Sequence, residues 1–216
     1  MIQQLTSFLS ELDNNILLAI NGAHTPFLDT AMWTISGKWI WIPLYVFILF
    51  AVFKHKDRRR AILFLFAVTL CIMLADFTCG QLLRHAVGRV RPSNPDNPIS
   101  SMIHLVNGYH GGRYGFPSCH AANSFGLAVM MMLYFRLRIV TAIMMIWMAL
   151  QCYSRMYLGV HYPTDILVGI LIGGSFAVFS YNATFNWAKS ARPRYSRINR
   201  RYSVYNKLAA SPANLR

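Results

Sequence analysis

The chain has 216 residues, 55% hydrophobic and only 13% charged, a balance outside that of an ordinary soluble domain. Lys and Arg number 21 against 7 acidic residues, a formal charge of +14. On a polar chain that excess would point to nucleic acid; the hydropathy argues against that class and asks instead where so apolar a chain places its cations.

The first 38 residues carry Ile2, Leu5, Phe8, Leu9 and Leu12 at helical spacing, but Asn14, Asn15, Asn21, His24 and Asp29 are too frequent for a span. One or two amphipathic helices along the membrane interface are predicted, with a sixth span as the alternative. No basic segment precedes an apolar core here, so a cleaved signal peptide is not expected and insertion falls to internal helices. Trp33, Trp39 and Trp41 suit an aromatic belt.

Five apolar runs follow: Trp39 to Phe53 with Pro43 inside it, Ala61 to about Leu83 interrupted by Asp76, Ser118 to Phe135, Ile139 to Tyr157, and Asp165 to Trp187. A hydrocarbon core takes ~20 helical residues to cross, and its backbone groups must be paired internally, so these runs predict helices. The expectation is an all-α integral membrane protein, a bundle of five to six transmembrane helices with N-terminal interfacial amphipathic helices. It divides into an N-terminal segment (1–38), a transmembrane catalytic domain (39–187) and a basic, flexible cytoplasmic tail (188–216). Cys71, Cys79, Cys119 and Cys152 lack zinc-site spacing and make no disulfide framework; three sit in apolar runs as small hydrophobes. The cluster Met130, Met131, Met132, Met144 and Met145 reads as lipid-facing or core packing, and Gly169 and Gly173 as a close-packing step within the bundle. Asp76, costly to bury unpaired, is expected to face the interior and bond another helix.

The cations then divide. Lys54, Lys56, Arg58, Arg59 and Arg60 lie between the first two spans, Arg136 and Arg138 between the third and fourth, and Lys189, Arg192, Arg194, Arg197, Arg200, Arg201, Lys207 and Arg216 after the fifth, 15 of the 21 in all. A five-span topology puts these segments on one side, which the positive-inside rule makes cytoplasmic, in contact with anionic lipid and not nucleic acid. Lys38 can snorkel at a helix end. The other five, Arg84, Arg89, Arg91, Arg113 and Arg155, gather on the opposite side against that rule, and an anionic substrate accounts for them.

Three blocks meet on that face: Arg84 to Pro92, Pro117-Ser118-Cys119-His120, and Ser154-Arg155 followed by His161 and Asp165. Guanidinium forks match phosphate oxygens and stay charged, so Arg84, Arg91 and Arg155 can cage a phosphate. Ser118 is placed to cap the third span, where helix N–H groups favour an anion. The i,i+4 spacing of His161 and Asp165 would bring the carboxylate onto the imidazole, leaving its other nitrogen to attack phosphorus, while His120 protonates the leaving oxygen.

These blocks resemble the motifs K-x6-RP, PSGH and SR-x5-H-x3-D of the type 2 phosphatidic acid phosphatase (PAP2) superfamily, in order and in their relation to the spans. The resemblance implies a membrane-embedded, metal-independent lipid phosphatase. His161 would be the nucleophile that forms a phosphohistidine, Asp165 its orienting partner, His120 the acid and then base, and Arg84, Arg91, Ser118, Cys119 and Arg155 the phosphate-binding residues. Two positions depart from the pattern: Arg84 stands where Lys is usual and Cys119 where Gly is usual. Cys119 as a thiol nucleophile is the minor alternative. Arg113, four residues before Pro117, and Arg89 are ambiguous, with Arg113 a candidate for the headgroup; His85, His104 and His110 read as packing or hydrogen-bonding residues. The scattered outer carboxylates form no metal site, and no cofactor is expected.

The resemblance further implies a bacterial cytoplasmic-membrane protein with its site facing the periplasm, its partners a lipid phosphate and the surrounding membrane lipids. Undecaprenyl diphosphate or lipid A is favoured over phosphatidylglycerophosphate or phosphatidic acid. The 24 residues from Ser93 to Phe116 are the expected selectivity element. Phosphotransfer to a lipid alcohol and a non-enzymatic lipid-binding or transport protein are the alternative readings. The sequence leaves the oligomeric state open.

Overall fold

The computed structural model describes residues 2–190, and every regular element in them is helical. Helix α1 (Ile2–Gly22) is followed by α2 (Pro26–Ser36), a 3-10 turn (Trp39–Trp41) and α3 (Ile42–His55). Helix α4 (Arg58–Asp76) continues through a π-helical segment (Phe77–Leu83) into α5 (Arg84–Val87). After a long connection come α6 (Cys119–Phe135), α7 (Arg138–Tyr157) and α8 (Pro163–Ser190). The predicted flexible tail and seven of its cations fall almost wholly outside the described residues.

Local chemistry sets several boundaries. Thr25, Asp57 and Ser118 each accept a backbone N–H from the first turn of the following helix, at 3.2, 3.0 and 3.3 Å, so α2, α4 and α6 begin on side-chain caps. The runs α4–α5, α7 and α8 are long and apolar enough to cross a membrane, α6 has 17 apolar residues, and α2 with α3 passes only as a pair bent by 68°. The predicted run from Trp39 to Phe53 thus does not qualify as a span by itself, and forms a broken span or a re-entrant loop with α2, a helix predicted to lie at the interface. Gln151 of α7 and the Trp41 indole both donate to the Ile35 carbonyl, at 3.1 and 2.7 Å, satisfying backbone that the break would otherwise strand.

The core lies between α4, α6 and α8, and small residues let these helices approach. A Cβ on Gly173 would lie 2.0 Å from the Ala122 carbonyl oxygen, and one on Gly169 2.5 Å from that of Ser118. Only hydrogen fits at either position, as the close-packing reading of this pair expects. Met130, Met131 and Met144 are buried beside Phe64, Tyr134 and Trp147. Outward-facing residues are also apolar: Phe47, Phe50, Phe66, Ile139, Ile146, Leu171 and Phe179 are all exposed, the inverse of a soluble surface and the arrangement a bilayer requires.

The N-terminal helices are docked on the bundle as well as amphipathic. Leu5, Phe8, Leu9 and Leu12 are exposed on α1, while Asp13, Leu17 and Asn21 of the same helix are buried. Asn21 donates to the carbonyls of His104 and Tyr157 and accepts from the His104 N–H, and Asp29 of α2 accepts from Tyr157 and contacts His104. Helices α1 and α2 thus fasten the 88–118 connection to the outer end of α7.

Candidate active site

Arg91 is the centre of the constellation. Its backbone N–H donates to the Arg113 carbonyl at 3.0 Å, and its guanidinium donates to the carbonyls of Tyr114 and Val160 at 3.1 and 3.0 Å. The chain passes so close that Gly111, at φ +67, and Gly115 lie against the Arg91 side chain, where a Cβ would come within 3.2 and 3.1 Å of it. Arg91 Nη1 also lies 3.2 Å from His161 Nε2. An arginine can only donate, so Nε2 is the unprotonated nitrogen and Nδ1 carries the proton. This is the tautomer in which Nε2 can act as a nucleophile.

His161 and Asp165 are both fully buried, and the Nδ1 to Oδ2 distance is 3.7 Å, longer than a hydrogen bond. The direct clasp expected from their spacing is therefore looser than predicted, because the carboxylate has other partners. Asp165 Oδ2 accepts the Tyr162 N–H at 2.9 Å, and Oδ1 accepts Arg89 Nη1 at 2.9 Å. Arg89 in turn donates to Asp13 of α1 at 2.6 Å, and Asp13 accepts both the backbone N–H and the hydroxyl of Thr164. Sequence reasoning left Arg89 ambiguous and passed over Asp13. The available signal was a carboxylate in a chain with only seven of them.

The second motif stands beside this pair. Ser118 is buried, its N–H donating to the Asp165 carbonyl oxygen at 3.0 Å while its hydroxyl caps α6. The two departures from the motif pattern touch each other: Arg84 Nη2 donates to Cys119 Sγ at 2.9 Å. Arg155 is buried, anchored through Nη1 on the Ser36 hydroxyl at the end of α2. The Nε atoms of Arg84 and Arg155, and Nδ1 of His161, are buried with no hydrogen-bond partner among the described residues. Buried donors are costly to leave unmade; an oxyanion would satisfy the two arginine Nε groups, while His161 Nδ1 is turned towards Asp165.

A cavity of about 670 Å³ runs from Cys119 and His120 into the bundle between α3, α4, α6 and α7. Lys38, Asp76 and Asn123 stand with His120 in its polar part, and Tyr45, Ile48, Leu65, Leu127 and Trp147 make its walls. Asp76 bonds Asn123 of α6 at 2.8 Å, the helix-to-helix pair expected of it, and its accessible carboxylate faces this cavity within the bundle. The Arg113 side chain is exposed and paired with Asp96 at 3.4 Å, on the outside of the connection, so only its backbone meets the site, through Arg91, and no side-chain contact supports its candidacy for a headgroup. His104 hydrogen-bonds Asp29 of α2 and His110 the Ser93 carbonyl within the connection; exposed His85 packs its ring edgewise on Tyr114. No three His, Cys, Asp or Glu side chains converge among the described residues.

Burial, followed by the positive charges of Arg91 and Arg155, holds the His161 imidazole well below the usual histidine range. Burial also pulls Arg91 down, to about 10, with Arg155 and Arg84 adding to the effect; it remains cationic at neutral pH. The sign is clear for His161: protonation is disfavoured, so the neutral ring persists as pH falls through ~6.5, where a free histidine would charge. Nitrogen NMR of histidine-labelled protein should show a neutral imidazole signal at pH 5.5 that disappears in His161→Ala; a His161 ring that charges near pH 6.5 contradicts this electrostatic account.

Comparison with known proteins gives the family of the chain. The PAP2 superfamily model matches residues 61–189. The chain is 47% identical over 167 residues to the lipid A 4'-phosphatase of Bacteroides thetaiotaomicron, covering 77% of this chain and 74% of the relative. It is 33% identical over 192 residues to the lipid A 4'-phosphatase of Porphyromonas gingivalis, covering 87% and 81%. Among solved structures, LpxE of Aquifex aeolicus superimposes with a TM-score of 0.60 at 24% identity, over 78% of this chain and 94% of that one. The chain therefore belongs to the PAP2 superfamily and is an integral membrane phosphatase.

Proposed function

We propose that the protein removes a phosphate monoester from lipid A, at the 4' position, on the membrane face away from its cytoplasmic cations. The observation that carries the reading is the set of buried, unpartnered donors on Arg84 and Arg155 around a neutral His161 whose free nitrogen faces Arg91. Arginines there would spread over the phosphate oxygens and stabilise charge that grows in the transition state. His161 Nε2 forms the bond to phosphorus as the phosphorus–oxygen bond to the lipid breaks, and His120 gives its proton to the leaving oxygen. Water then attacks the phosphohistidine, losing a proton to His120 and regenerating free Nε2 with release of inorganic phosphate.

Two further observations support a lipid substrate and its class. The cavity beside His120 is apolar along most of its length and falls in the size range of ligand pockets, suiting acyl chains that enter from the bilayer. The relative with 47% identity acts, by its name, on lipid A, which favours that substrate over the isoprenoid diphosphate that the motifs alone leave equally open. The sidedness of the cations supports a site on the non-cytoplasmic face, and the bacterial relatives support the bacterial cytoplasmic membrane as its location.

A phosphate-release panel with purified protein in detergent tests the substrate. Lipid A should lose its 4'-phosphate faster than undecaprenyl diphosphate or phosphatidylglycerophosphate loses phosphate. Chelator should leave the rate unchanged, and His161→Ala should lower it by roughly a thousandfold or more. A preference for the isoprenoid diphosphate contradicts the substrate assignment; full activity in His161→Ala contradicts the mechanism.

The Arg84–Cys119 contact predicts that the two motif departures act together. Arg84→Lys and Cys119→Gly should each lower kcat/KM, and the double variant should recover part of the loss, with a coupling of about 1 kcal/mol. Additive effects would mean that the contact has no part in transition-state binding. A Cys119→Ala variant with substantial turnover is expected on the same account.

A further inference from the structure

At the far end of the bundle, the ends of α3, α6 and α8 and the start of α4 enclose a second cavity, of about 520 Å³. Asp165 and Lys189, at opposite ends of α8, are 24 residues apart, so this cavity lies roughly 35 Å from the candidate active site. Its polar wall gathers five cations, Lys56, Arg59, Arg60, Arg136 and Lys189, against the single carboxylate of Asp57. Asp57 pairs at 3.5 Å with Arg60, both groups largely exposed, and Arg59 donates to the Ala188 carbonyl at 3.2 Å. Lys56, Arg136 and Lys189 have no ion-pair partner among the described residues.

Two features show that this is more than a solvated cationic rim. Arg136 ends α6 at φ +56, a left-handed position that Gly or Asn ordinarily fills, so a cation is kept here at a conformational cost. His55 lines the same cavity with Nε2 buried and unpartnered among the described residues. Leu63 of α4, Phe135 of α6 and Phe185 of α8 give the cavity an apolar side, beside Tyr134, Tyr181, Asn182 and Asn186. The chain after Ser190 cannot neutralise the cluster through its side chains, because it contributes seven more cations and no acidic residue.

We propose that this cavity binds an anionic glycerophospholipid of the leaflet opposite the active site. Arg136 and Lys189 would hold the headgroup phosphate, and Leu63 and Phe185 the upper acyl chain. Like charges crowded into one pocket repel, and a phosphodiester with an apolar tail meets both the charge and the greasy wall. Such a lipid would brace the run α4–α5 together with α6 and α8, whose other ends carry Arg84, His120 and Asp165, and would stabilise the folded bundle by binding it selectively.

Native mass spectrometry of the full chain in detergent, titrated with phosphatidylglycerol, phosphatidylcholine or inorganic phosphate, tests this. The parent should retain phosphatidylglycerol over phosphatidylcholine, and excess inorganic phosphate should not displace it. Arg136→Gln/Lys189→Gln and Lys56→Gln/Arg60→Gln should each weaken retention by at least roughly tenfold. Both should release phosphate from substrate at the parental rate, which shows them folded, and Arg91→Gln should retain the lipid as the parent does. Retention unchanged in both double variants, equal retention of phosphatidylcholine, or displacement by inorganic phosphate overturns the proposal. A loss confined to Arg91→Gln would place the bound lipid in the active site and overturn it equally.

Discussion

A fully buried carboxylate stays ionised only if a cation or several hydrogen bonds accompany it, and Asp165 has both, in Arg89 and the Tyr162 N–H. The rest of the outer face depends on that pairing. Asp13 of α1 supplies the second negative charge and also holds Thr164 at the start of α8. With Asp165 engaged from that side, His161 is left with Arg91 on Nε2, which fixes its tautomer without charging the ring.

The same logic explains why the N-terminal helices belong to the working protein. The superfamily match begins at residue 61, yet Asp13, Asn21, Asp29 and Ser36 reach from outside it to Arg89, Tyr157, His104 and Arg155. Six of the seven acidic side chains have a polar partner: Asp13, Asp29, Asp57, Asp76, Asp96 and Asp165. In a chain with so few carboxylates most of them join separate segments, and all but Asp57 lie on the outer half of the molecule.

The helical runs and the three motifs were legible in the sequence, because apolar length and residue type at fixed spacing are local properties. Ser118 as a cap, Gly169 and Gly173 as a packing step and the methionines as core all follow from such local rules, and the structure places them accordingly. What escaped were contacts between distant segments. Nothing in the periodicity of α1 marks Asp13 as a partner of Arg89, 76 residues away, and the charge of Asp76 did not reveal that the bundle opens into a cavity beside it. The 3.7 Å gap between His161 and Asp165 escaped for the same reason: spacing brings two side chains together, but a third group decides how closely they join.

The central claim is that His161 Nε2 carries the phosphoryl group. Rapid alkaline quenching of the enzyme during turnover of phosphate-labelled lipid, followed by peptide mapping, tests it most directly, since a phosphohistidine survives base and is lost in acid. The account predicts base-stable label on the peptide containing His161 and none in the His161→Ala variant. Label on His120 or Cys119 would contradict it, as would turnover at full rate with no labelled peptide.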